Sequence, residues 1–98
     1  MSRNIERRLH ALSGEISTVR DEVGILGEQL AFQTDVMDET RVRALVAETP
    51  LADREFRIAS EDLRRIQRAV DETNARLSAL VDERERLLSE LLPEASNG

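Results

Sequence analysis

The residues of this chain able to do acid–base or metal chemistry are few in kind. There is one histidine, His10, and no cysteine. With no second His and no thiol, His10 lacks the partners of a His-based metal site or a nucleophilic dyad, and it reads as a solvated helix-face residue. The acidic clusters Asp35-Asp38-Glu39 and Asp82-Glu83-Glu85 contain the i, i+3 spacing that can hold a divalent ion between helices. Each neighbours Arg in a sequence dense in acids, so both read as solvated charge rather than ligands. No Gly-rich phosphate loop follows a strand, because no strand is expected. An enzyme is therefore not expected, and neither is a metal or a cofactor.

What remains is surface, and surface depends on the elements that carry it. The 98 residues are 35% charged and 40% hydrophobic but only 2% aromatic, with two Pro, a helix-forming mixture rich in Ala, Leu, Glu and Arg. Net charge is −6 and evenly spread, with six Arg against nine acids in residues 1–49 and eight against eleven in 50–98. Neither half offers the one-signed basic stripe that phosphate backbones require, so nucleic acid is not an expected partner. The opening MSRNIERRLH lacks a signal-peptide apolar stretch, and no run approaches the roughly 20 apolar residues of a membrane span. The expected location is cytoplasmic, without membrane association.

Two heptad repeats flank Thr49-Pro50. The first runs Ile5, Leu9, Leu12, Ile16, Val19, Val23, Leu26, Leu30 and continues through Gln33, Met37, Thr40 and Ala44. The second runs Ala52, Phe56, Ala59, Leu63, Ile66, Val70, Thr73, Leu77, Leu80, Arg84, Leu87 and Leu91 without a phase slip. Such spacing keeps one stripe of a helix facing another. Thr49 suits an N-cap, Pro50 suits the first helical position, and Asp53 and Glu55 suit the positive helix end. The expected fold is all-α, an antiparallel two-helix coiled-coil hairpin forming one domain over 1–92. Its helices cover about 3–47 and 50–92 around a turn at 48–49, and a disordered tail at 93–98 follows Pro93.

Flanking charges choose the register. With Ile5 facing Leu91, Leu26 facing Val70 and Ala44 facing Ala52, the edges place Arg8 by Glu90, Glu22 by Arg76, Arg43 by Glu55 and Arg41 by Asp53. Only Glu15 by Glu83 repels. A slip of one heptad sets Glu15 by Glu90 and Glu22 by Glu83, and strands Ile5 and Leu9. Each surface pair contributes only ~0.2–1 kcal/mol, but the pairs separate otherwise similar seams. Arg84, in the seam, is expected to place its guanidinium between Glu15 and Glu83. Together with Gln33, Thr40 and Thr73 it is read as a polar core residue that helps to set the register.

Some apolar residues lie outside the seam. Ile25, Phe32, Val36, Val46, Ile58 and Ala69 occupy c and g positions, which share one side of an antiparallel hairpin and form a second apolar strip. This strip is the expected partner or dimer interface, and two hairpins joined through it make a four-helix bundle. Gly24 and Gly27 each disfavour a helix by roughly 1 kcal/mol relative to Ala, which marks a close approach by another helix or a bend. Val81, Leu88 and Leu92 make a smaller apolar excess in the second helix.

Two function classes fit: a homodimerising adaptor or scaffold in a larger assembly, and a regulatory hairpin that masks a partner, as helical-hairpin anti-sigma factors and polymerase secondary-channel factors do. The second class would use Glu48, Asp53 and Glu55 at the turn. In length and mid-chain turn the chain is similar to small secreted helical-hairpin proteins of type VII systems. Their Trp-Xaa-Gly turn is absent, the turn here reading ETPLAD, and membership is not assigned.

Overall fold

The structure, a computed structural model, describes residues 2–92. The expected tail at 93–98 lies outside the described residues. Two helices, α1 (Ser2–Ala47) and α2 (Pro50–Leu91), pack against each other as a hairpin, and no strand occurs among the described residues.

The turn is short because both helix ends are capped locally. Glu48 adopts the left-handed backbone region at φ 52°, and its N–H donates to the Ala44 carbonyl at 3.3 Å, the bond that closes a helix C-terminus. Thr49 then starts α2. Its hydroxyl accepts the Ala52 N–H at 3.2 Å, its carbonyl accepts the Asp53 N–H at 3.1 Å, and Pro50 takes the position where a missing N–H leaves no donor unpaired.

The contacts fall into two units. The terminal unit joins the chain up to Glu22 with the chain from Thr73, and the turn unit is Val23–Glu72. Every seam position of the two repeats is buried or half-buried, as heptad spacing demands. The fillings differ. In the terminal unit Leu12, Ile16 and Val19 are buried, Leu12 completely, beside Thr73. In the turn unit the buried residues are Ala52, Ala59, Leu63 and Thr40, so small side chains occupy most of the deepest places.

Each unit carries one charge pair of the expected register: Glu22 with Arg76 at 2.6 Å in the terminal unit, and Arg43 with Glu55 at 3.2 Å in the turn unit. Among the described residues, Arg41 and Asp53 form no ion pair, and Arg8 pairs with Glu83 rather than Glu90. Arg8 grips Glu83 with a two-pronged contact, Nε to Oε2 at 2.6 Å and Nη2 to Oε1 at 2.8 Å, and reaches Glu15 through Nη1 at 3.3 Å. The expected repulsion between Glu15 and Glu83 is thus relieved by Arg8, and the role assigned to Arg84 is corrected. The reason is angular. Arg8, Glu15 and Glu83 all stand at g, whereas a side chain at a, such as Arg84, leaves the seam toward the opposite e edge.

Of the other polar seam residues, Gln33 crosses to α2, donating to the Ala59 carbonyl at 3.2 Å. Thr40 instead donates to Met37 in its own helix at 2.9 Å, which satisfies the hydroxyl without reading the partner helix.

Relief of a left-handed backbone predicts that Glu48→Gly raises stability by about 0.5–1 kcal/mol, and loss of the cap that Thr49→Ala lowers it by about 1 kcal/mol. Thermal unfolding reads these as shifts of roughly 4–8 °C per kcal/mol, and a Glu48→Gly variant melting below the parent would contradict the cap. The Arg8 hydrogen bonds hold the Glu83 carboxyl below its usual range against the opposing effect of burial. A depressed carboxylate stabilises the fold above the ordinary glutamate value of ~4.3, and this contribution vanishes as the pH falls through the lowered one. The melting difference between the parent and Glu83→Gln is therefore expected at neutral pH and should close below about pH 4. A difference that persists unchanged in acid excludes this account.

Candidate protein-interaction surface

Most of the expected strip faces solvent, and all of it lies in the turn unit. Phe32 is 70% exposed, Val46 80%, Ile25 57% and Ile58 47%. Val36 and Ala69, at g, are half-buried and form the floor between strip and seam, where Phe56 is half-buried. A shallow groove beside Phe32 is lined by Ile25, Glu28, Gln29, Gln33 and Ile66. The heptad positions explain this arrangement: g lies next to the seam and is partly covered, while c is one step further round and open.

Three exposed apolar residues near the turn were not read from the sequence: Val42, Leu45 and Leu51. Leu51 stands at c, the same position as Ile58, and that placement was a usable signal. Val42 is one turn before Val46 and lines a second groove with Asp38, Glu39, Arg43 and Val46. The last turns of α1 are therefore apolar on their outer face, which leaves α1 less clearly two-faced than α2.

The borders of the strip are polar and already organised. Arg43 with Glu55 crosses it near the turn, and Asp62 pairs with Arg65 at 3.3 Å along α2. On the opposite flank of the same unit, Thr34 and Ser60 turn their hydroxyls back to the Leu30 and Phe56 carbonyls at 2.7 and 2.9 Å. That flank is without a large exposed apolar side chain at these rows, although Leu45, at b, is exposed on it nearer the turn.

Gly24 and Gly27 stand in open space, with nothing within 4 Å of an added methyl group at either position. The close approach expected there is not made by α2. In the terminal unit Leu88 and Leu92 are exposed and Val81 is half-buried, so the apolar excess in that part of α2 is spread out. Among the described residues no group of His, Asp and Glu is arranged to hold a metal ion, and no helix is long and apolar enough to cross a membrane. His10 and the clusters around Asp38 and Asp82 are exposed apart from Glu83, which Arg8 occupies.

Because the space is open, Gly24→Ala and Gly27→Ala are each expected to stabilise α1 by about 0.5–1 kcal/mol in thermal unfolding. Destabilisation by either substitution would show instead that another molecule packs against that backbone.

Comparisons of the chain with protein-family models, with curated proteins and with solved structures find no match.

Proposed function

We propose that this chain is a non-enzymatic protein-interaction module. Its turn unit homodimerises through the strip of Ile25, Phe32, Val36, Val46, Ile58 and Ala69, and the resulting four-helix bundle serves as an adaptor or scaffold in a larger cytoplasmic assembly. One observation carries this reading: apart from Leu63, the fully buried positions of the turn unit hold small residues, while several of its large apolar side chains are exposed. Ala52, Ala59 and Thr40 are buried while Phe32, Ile25 and Ile58 are exposed. The larger seam residues Leu26, Leu30, Met37, Phe56 and Ile66 are only half-buried, so apolar area in this unit is still open to water. Covering the strip contributes roughly 25 cal/mol for each Å² removed from water, and two-fold symmetry doubles every contact.

A second reading is a hairpin that masks a partner such as a sigma factor or RNA polymerase. It draws on the apolar end of the turn unit, where Val42, Leu45, Val46 and Leu51 are exposed. The acids there are less free for such a role, since Arg43 holds Glu55.

The solution mass of the pure protein separates the two. The homodimer reading expects twice the chain mass, and expects Phe32→Glu to weaken association by at least about 30-fold while helicity is kept, the scale of a buried aromatic anchor. A monomer at all concentrations for both proteins sinks the homodimer and leaves the strip to a different partner.

A further inference from the structure

Heptad positions b and f form the back of each helix, away from both the seam and the strip, and every Arg, Asp and Glu on them is exposed among the described residues. In the turn unit the back of α1 carries Glu28, Asp35 and Asp38 and no basic residue, whereas the back of α2 carries Arg54, Arg57, Arg64 and Arg68 against Glu61 and Asp71. In the terminal unit the signs are exchanged. There the back of α1 carries Arg3 and Arg7 against Asp21, and the back of α2 carries Asp82 and Glu85 with no Arg. None of these charges is engaged within the chain, because the ion pairs among the described residues all use g and c positions.

We infer that copies of this chain associate side by side, the back of α1 in one copy against the back of α2 in the next, with their turns at the same end. In that direction each unit meets its own counterpart, so acid faces base in the turn unit and base faces acid in the terminal unit. With turns at opposite ends, the acidic back of α1 in the turn unit meets the acidic back of α2 in the terminal unit, and Arg meets Arg on the remaining faces. That direction repels. One sign prevails on each back, so the attraction does not depend on which rows are set opposite. Val42 and Leu45, exposed on the same back of α1, meet the apolar stems of Arg54 and Arg57.

This contact is heterologous, so each copy keeps a free back on either side and the row extends beyond two copies. It leaves the strip open and does not require the homodimer. Surface ion pairs are individually weak and screened by salt, so the row forms at low ionic strength and comes apart at high.

Sedimentation of the full chain reads this directly. The average mass should rise with concentration in about 10 mM salt and fall back in about 1 M, where the screening length shrinks from about 30 to 3 Å. Reversing one back, by Asp35→Arg with Asp38→Arg or by Arg57→Glu with Arg64→Glu, should weaken this association at least about tenfold, and mixing the two variants should restore it to within about threefold. Each double reversal moves the net charge of −6 by four, so both variants stay acidic and overall charge cannot draw them together. Direction is read with thiols, since the chain has no cysteine. Val42 and Arg54 each stand one residue before the Arg43–Glu55 pair, hence at one level of the turn unit. A Val42→Cys chain mixed with an Arg54→Cys chain should link under mild oxidation, and an Arg7→Cys chain mixed with an Arg54→Cys chain should not. A mass independent of salt, a mixture that does not recover, or a link through Arg7 overturns this inference and leaves the strip homodimer untouched. Salt-sensitive growth that Phe32→Glu leaves unchanged supports it even where the strip dimer is absent.

Discussion

The seam between the two helices is the constraint from which the remaining features follow. A heptad stripe on each helix has to be covered along its whole length, and the closure at Glu48 and Thr49 lets α2 return directly along α1. Once the chain turns there, Arg43 can reach Glu55 in the turn unit and Glu22 can reach Arg76 in the terminal unit, each pair holding the same pairing of rows. Edge charges contribute little energy individually, yet they distinguish between seams of nearly equal apolar content. The seam also decides which residues are left over. Whatever does not fit between the helices is on the surface, and in this chain the leftovers are large.

That consequence is uneven along the chain. The terminal unit puts Leu12, Ile16 and Val19 inside, in the manner of an ordinary coiled-coil core. The turn unit puts Ala52 and Ala59 inside and leaves Phe32 outside. Small residues at the deepest positions of a seam remove less apolar surface from water than Leu or Ile would there. On the other flank, Thr34 and Ser60 are bonded back into their own helices.

Polar groups in and beside the seam serve different ends. Gln33 reads α2 through the Ala59 carbonyl, whereas Thr40 satisfies itself locally. Arg8 makes an otherwise repulsive edge attractive by gripping Glu83 and touching Glu15. A long side chain at an edge spans more than one row, so the charge pattern along an edge tolerates a like-charged pair if a neighbouring guanidinium can reach both.

The sequence by itself determined the hairpin. Heptad spacing, the helix-forming composition and the Thr49-Pro50 signal are local properties, and they placed the seam positions and the turn that the structure shows. Ile25, Phe32, Val46 and Ile58 were legible as exposed for the same reason, since periodicity alone assigns them to the outer face. Only the tertiary structure decided which side chain bridges Glu15 and Glu83, because Arg8 and Arg84 differ in angle and reach rather than in spacing. It alone showed that Ala52, Ala59, Leu63 and Thr40 are the most deeply buried positions of the turn unit, and that Val42, Leu45 and Leu51 widen the apolar surface near the turn. How deeply a residue is buried depends on what stands across from it, and that opposing surface comes from a part of the chain distant in sequence.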